Sequence, residues 1–341
     1  MIRSILHVLA FPWFFAQLFT GQKSFRDNPI IGSSRLNGLG LHGARVRIAH
    51  AMAARRRARL ASGVNPAEKA LFDKDGYVEI HDFLPHDLFV QLRDGVMAYA
   101  GESRETTQGH TITRRYGVGP AALREIPALQ AFRQDPRWRG LARYIMSFNV
   151  EPLLYIQSIL THRHDAPPDP QINLHADTFH PSMKAWLFLE DVTSESGPFT
   201  YVPGSHRLTP QRLAWEHRRS LTVRDDDCRL SARGSLRVTA DELPALGLPA
   251  PKAFAVPANT LVIADTFGFH ARGESAQRST RIELWAYGRR NPFRAWLGAD
   301  IWSLPGLAER RVDLRWRMRD IAWGMTGRRW AKQLVVRPGD D

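Results

Sequence analysis

The sequence predicts a mainly β body with helical extensions at both ends, and three observations carry that reading. Alternating runs mark strands. In Arg281–Tyr287, Ile282, Leu284 and Ala286 share one face, and Arg281, Glu283, Trp285 and Tyr287 share the other. A helix-compatible stretch, Leu41 to Leu60, stands well before the first such run. The charge divides the same way. Of the net +13, residues 1–65 carry +9 and residues 288–341 carry +6, which leaves the middle at −2. At 341 residues the chain can bury a full core. We divide it into an N-terminal extension (1–64), a body (65–290) with an insert (207–252), and a Trp-rich basic C-terminal helical extension (291–341).

Residues 2–20 are the most hydrophobic segment. Its apolar part, Ile5 to Phe19, is broken by His7, Pro12 and Gln17, and falls short of the ~20 apolar residues a spanning helix needs. No small-x-small cleavage site follows, which argues against a secretory leader. Phe11, Trp13, Phe14, Phe15 and Phe19 suit a helix lying in a membrane interface or one docked on the body. Arg55, Arg56, Arg57 and Arg59 come soon after. Together they lead us to expect a cytoplasmic protein with peripheral membrane contact through residues 1–60. The single cysteine, Cys228, excludes internal disulfides and fits a reducing compartment. Its neighbours Asp225, Asp226 and Asp227 should disfavour a thiolate.

The body opens at Asn65-Pro66, an N-cap followed by proline at the first helical position. Ala67 to Asp73 reads as helix, Tyr77–Ile80 as strand, Pro85 to Ala100 as helix and Gly101 to Gly109 as polar loop. Leu123 to Phe148 is mostly helical, and Glu151 to Arg163 reads as a strand with Tyr155, Gln157 and Ile159 on one parity. In the next strand Lys184, Trp186, Phe188 and Glu190 oppose Met183, Ala185, Leu187 and Leu189. The insert is longer than an ordinary connection and contains a helix from Pro210 to Arg219, so we expect it to serve as a lid. In the C-terminal extension, Trp296, Trp302, Trp316, Trp323 and Trp330 alternate with arginines, as in a helix docked by its tryptophans.

Chemistry concentrates around His175-Ala176-Asp177. In extended backbone the imidazole and the carboxylate point the same way, which provides two of the three ligands of a 2-His-1-carboxylate iron site. An apolar run from Leu261 ends in His270, a distant third ligand, and Arg281 follows on the polar face of its strand. An inward arginine suits a bidentate grip on a carboxylate.

His175-x-Asp177, then Lys184–Leu189, Gly197-Pro198, Pro203-Gly204-Ser205-His206, His270 and Arg281 together resemble the phytanoyl-CoA dioxygenase family. The similarity begins upstream at Asp75-Gly76-Tyr77-Val78 and Asp82-Phe83-Leu84-Pro85. The resemblance implies a double-stranded β-helix (jelly roll) and a dioxygenase that uses Fe(II), 2-oxoglutarate and O2. It implies His175, Asp177 and His270 as metal ligands and catalytic centre, Arg281 as the clamp on 2-oxoglutarate, and Gln157 and Trp186 as further cosubstrate contacts. Succinate and CO2 would accompany hydroxylation of a small-molecule or lipid-derived substrate. Arg272 departs from the small hydroxyl residue common two places after the distal histidine, and Ala176 fills a slot that is often polar. Two other classes stay open: a non-catalytic lipid- or partner-binding protein on the same fold, and a nucleic-acid demethylase. The body offers no basic stripe, which argues against nucleic acid.

Overall fold

The computed structural model of the chain describes residues 11–295, 304, 306–325 and 331–340. Eleven strands are among them: β1 Tyr77–Ile80, β2 Gly101–Gln108, β3 Thr111–Gly117, β4 Leu153–Leu160, β5 Met183–Phe188, β6 Phe199–Tyr201, β7 Lys252–Ala253, β8 Leu261–Asp265, β9 His270–Arg272, β10 Thr280–Gly288 and β11 Lys332–Val336. They form an antiparallel sheet in the order β1-β8-β5-β10-β4-β3-β2-β11 and a smaller sheet in the order β7-β6-β9. Phe199 and Tyr201 of the small sheet, with Phe254 just past β7, share a core with Tyr155, Trp186 and Trp285 of the large one. This is the jelly roll the sequence led us to expect.

The helices are α1 Phe11–Ala16, α2 Ser34–Gly38, α3 Leu41–Leu60, α4 Pro66–Asp75, α5 His86–Ala98, α6 Pro120–Glu125, α7 Pro127–Gln134, α8 Pro136–Met146, α9 Pro210–Thr222, α10 Arg229–Ala232 and α11 Leu307–Gly324. Leu92, Val96, Leu129, Phe132 and Ile145 of α5, α7 and α8 pack on the outer face of the large sheet, against Ile156, Leu187, Ile282 and Leu284. The alternation read along β4, β5 and β10 therefore sorts side chains between an outer apolar core and the inner face where the site lies. As expected, Asn65 caps α4 by accepting from the Ala67 amide, with Pro66 at the first helical position. Gly76 ends α4 at a φ of +84°, against the His206 ring, where a side chain would be both strained and blocked.

Four expectations need correction. The stretch read as a polar loop, 101–109, is mostly β2. Its polar side chains are satisfied there by charge pairing, as in Arg114–Glu105 at 2.6 Å, so it lacks the apolar alternation that signals a strand. The C-terminal extension is not only helical, because β11 adds an edge strand to β2. The expected docking by tryptophan holds for Trp316, buried beside Tyr155, whereas Trp323 is 44% exposed. Trp296, Trp302 and Trp330 lie outside the described residues.

The third correction concerns the N-terminal extension, which is built into the body from Lys23 onward. Arg56 of α3 is 2% exposed and donates to the carbonyls of Ser147, Pro292 and Arg294. Arg57 pairs with the fully buried Asp265 at 2.8 Å, and Arg45 donates to the carbonyls of Leu18, Thr20 and Gln22. These two members of the 55–59 cluster are thus internal struts, while Arg55 and Arg59 face outward. The insert packs on the same layer. His42 of α3 meets Glu216 of α9 at 2.8 Å, and Arg212 bonds Glu216 and the Ser205 and Phe267 carbonyls. So bound, the insert is packed down on α3 and the body and does not stand free as a lid would.

Candidate active site

The two histidines are set opposite each other by backbone. His175 N donates to His270 O at 2.9 Å and His270 N to His175 O at 3.0 Å, an antiparallel bridge between the H-x-D segment and β9. The other side of that segment is held by the insert, where Ala176 N donates to Leu236 O and Val238 N to Leu174 O. Asp177 N donates to Thr266 O, which fixes the third member.

Ligand atoms of His175, Asp177 and His270 all lie within 4.8 Å of one another. Asp177 Oδ1 is 3.8 Å from His175 Nε2 and 3.6 Å from His270 Nε2. Each imidazole places Nδ1 against a carbonyl, His175 on Asn173 O at 2.8 Å and His270 on Gly268 O at 2.9 Å. Those bonds place the proton on Nδ1 and turn the Nε2 lone pairs inward, the orientation metal-binding histidines require. Burial, reinforced by His270, holds His175 far below the ordinary imidazole value and so neutral. Burial would raise Asp177, but Lys184 and the two histidines outweigh it and keep the carboxylate ionised. Two neutral nitrogen donors and one carboxylate, converging from one side, fit a ferrous ion.

Lys184 shares the Trp186 face of β5. Its Nζ lies 2.6 Å from Asp177 Oδ2 and 3.5 Å from His270 Nε2. Lys23 adds a second ammonium, donating to the Asp177 carbonyl, and burial lowers it to about 8. Neither was singled out in the sequence. For Lys184 the signal existed, since it shares the inner parity of β5.

From the triad a cavity of about 190 Å³ runs along the inner faces of β3, β4 and β10. Arg281 lies in its wall, 6% exposed, with Nε on Glu283 at 2.9 Å and Nη1 on the Gly197 carbonyl. Gln157 lines it too, accepting from Arg115 Nε at 2.6 Å and donating to Glu283 at 2.6 Å. A relay Arg115–Gln157–Glu283–Arg281 thus crosses three strands. Arg115, missed in the sequence because β3 went unrecognised, also lies 4.3 Å over Trp285 and is lowered to about 10 by burial. Arg272 is in the wall, paired with the buried Asp169. Trp186 borders the cavity and stacks on Phe199 at 4.0 Å. No residue of 207–252 lines the cavity. His206, buried against Phe72, is structural. The Cys228 thiol is below its ordinary value, contrary to expectation. Burial opposes the shift, and Ser231 and Arg237 produce it.

Residues 72–239 match the model of the family "Phytanoyl-CoA dioxygenase (PhyH)". The chain carries a phytanoyl-CoA dioxygenase family domain. The match takes in His175 and Asp177 and stops before His270 and Arg281, which are joined to this domain by the geometry above. No curated protein matches the chain. Among solved structures, it is similar to the non-heme α-ketoglutarate-dependent epimerase SnoN from nogalamycin biosynthesis (20% identity, 71% of this chain and 91% of that one, TM-score 0.42). It is also similar to HygX from Streptomyces hygroscopicus with nickel and 2-oxoglutarate bound (18%, 66% and 87%, TM-score 0.42). AviO1 from Streptomyces viridochromogenes Tue57 is a third (16%, 65% and 93%, TM-score 0.38).

Proposed function

We propose that the protein is an Fe(II)- and 2-oxoglutarate-dependent oxygenase that oxidises a C–H bond of a small-molecule substrate. The observation that carries this is the His175–Asp177–His270 cluster, with its Nε2 atoms turned inward, at one end of a cavity walled by Arg281 and Arg115. Iron bound there would supply the dioxygen chemistry that couples conversion of 2-oxoglutarate to succinate and CO2 with oxidation of the substrate. The rest falls to the chain. His175, Asp177 and His270 hold the ion. Arg281 receives the far carboxylate of the cosubstrate, with Glu283 fixing its orientation and Gln157 tying Arg115 to the same anchor. Trp186, Phe199 and Trp285 exclude water. Lys184 keeps Asp177 ionised and must withdraw from the ligand atoms as a metal binds. Calorimetry of Mn(II) and 2-oxoglutarate without oxygen tests the reading. The expected result is 2-oxoglutarate binding that requires metal, and its absence at millimolar concentration would sink the proposal.

We also infer that α1 contacts a membrane surface. Among the described residues no helix is long and apolar enough to cross a bilayer. Yet Phe11, Trp13, Phe15 and Phe19 are 49–65% exposed. Their backbone is tied down, Phe14 O accepting from Asn28 and Phe19 O from Asn291. Rings presented outward from an anchored turn suit an interfacial contact. Flotation on neutral and anionic liposomes compares the full chain with a Trp13→Ser, Phe15→Ser variant. Equal behaviour of the two proteins overturns the inference.

A further inference from the structure

A second cavity, of about 400 Å³, opens on the same sheet face just beyond the first. Its walls are Leu153 of β4, Arg290 just past β10, and one side of α11. On that helix Arg311, Arg315 and Arg319 recur every fourth residue, and Leu314, Met318 and Ala322 form a parallel apolar stripe. Residues spaced by four stack on one helix face, so the groove presents a cationic row beside an apolar one. Among the described residues no carboxylate lines it, and Arg311 donates to the Glu151 carbonyl at 2.7 Å. The helix is seated by Val312 and Trp316, which enter the inner core beside Tyr155.

The groove adjoins the metal cavity through strand register. Leu153 pairs with Tyr287, and Tyr287 pairs with Lys184. Directly opposed residues share a face, and neighbouring strands are about 4.8 Å apart, so Leu153 lies about 10 Å from the residue that contacts Asp177. Tyr287, half-buried and stacked on Trp285, stands between them. An aromatic floor joins a cationic, apolar-sided groove to the triad.

Resting on the oxygenase reading, we propose that this groove is the outer half of the substrate site and takes an amphipathic organic anion. The phosphate or carboxylate is held by Arg290, Arg311, Arg315 and Arg319, and the apolar part lies over Tyr287 and Trp285 toward the triad. Arginine is suited to such a grip because its planar fork matches phosphate and carboxylate oxygens. The arginines belong to segments outside the family-matched region, while Leu153 lies inside it.

The test uses the full chain and monomeric dodecyl phosphate, with dodecyl maltoside, inorganic phosphate and phosphatidic-acid vesicles as comparisons. In metal-free protein dodecyl phosphate should bind. The maltoside and inorganic phosphate should bind at least about tenfold more weakly, and Arg315→Glu with Arg319→Glu should cost about tenfold or more. With Mn(II) added, the terminal methyl protons of the bound probe should broaden more than the methylene beside the phosphate. Circular dichroism and binding of Mn(II) with 2-oxoglutarate verify that the variant is folded. Unchanged affinity in the folded variant, equal binding of the neutral detergent, or broadening strongest at the head overturns the proposal. Binding to vesicles but not to the monomer overturns it too, assigning the arginines to a membrane. Failure of Mn(II) itself to bind falls on the oxygenase reading, because the metal-free titrations stand without it.

Discussion

The two basic ends of the chain are alike in composition and opposite in use. In α3, Arg45, Arg56 and Arg57 are spent internally, on carbonyls that close turns and on the buried Asp265. In α11, Arg315 and Arg319 face outward over an apolar groove. The difference lies in what each helix meets. α3 crosses places where the chain turns and leaves carbonyls without strand partners, and a guanidinium with five donors can satisfy several at once. α11 lies along a sheet whose ladder is already paired, so it docks by its tryptophan and valine, and its arginines line the groove. Net charge alone therefore says little about partners until each cation is placed.

The largest effect should come from breaking an N-terminal strut. Arg57→Ala leaves Asp265, wholly buried, without its guanidinium, and removing one partner of a buried ion pair costs about 3–5 kcal/mol. Arg56→Ala orphans three carbonyls and should approach the same range. Urea denaturation measures both. A loss under ~1 kcal/mol in each would show that the α3 arginines are as dispensable as surface charges.

Two buried histidines set an acid limit. His180 and His206 are buried and held near 3, chiefly by burial, with Arg289, Arg45 and Arg56 adding to His180, and Arg57 and Arg207 to His206. Their folded values lie below the ordinary 6.5, so the unfolded chain takes up protons first as the pH falls. Stability is whole above about pH 6.5 and drains toward pH 3, by up to roughly 1.4 kcal/mol per pH unit for each histidine. Urea midpoints from pH 7 to 5 should decline, and His206→Gln should flatten the decline. An unchanged slope would exonerate His206.

Arg281 lies between the two kinds, buried and paired yet in the wall of a cavity. Arg281→Ala should spare metal binding and weaken 2-oxoglutarate by about 30-fold or more, the equivalent of losing a desolvated charged contact worth about 2–5 kcal/mol. Arg115→Ala should give a smaller loss of the same kind, since Arg115 reaches the anchor only through Gln157. Titrations with Mn(II) present decide it. If Arg115→Ala is the more damaging, the clamp is Arg115.

What was legible in the sequence had a period or a fixed local spacing. The parity of β10 placed Arg281 and Trp285 inward and Ile282 and Leu284 outward, and His175-x-Asp177 put two ligands on one side without knowledge of the fold. The Pro66 start of α4 and the whole of α3 were equally local. What was missed depends on contacts between remote segments. β2 and β3 are largely polar and charged, with Arg114 paired to Glu105 across the ladder and Arg115 bonded to Gln157 of β4, so Arg115 had no apolar alternation to mark it. Lys23 reaches Asp177 across 154 positions. The length of the insert suggests a lid, and its contacts with α3 and with the H-x-D segment, which no spacing reveals, show it packed down.

The smallest predicted effect sharpens the comparison most. Arg315→Ala should change stability by no more than ~0.5 kcal/mol, since the residue is exposed and substitutions away from buried networks usually fall in that range. Arg315 lies one turn from Arg311 and Arg319, and like charges at that spacing repel by a few tenths of a kcal/mol, so removal could even stabilise the helix slightly. Trp316 keeps its place beside Tyr155 in either case and continues to seat α11. Side by side in urea, Arg57→Ala and Arg315→Ala should therefore differ by several kcal/mol although both delete one arginine from a helix. A destabilisation of 2 kcal/mol or more by Arg315→Ala would mean that the groove arginines hold the fold together, as those of α3 do, and the contrast between the two ends would collapse.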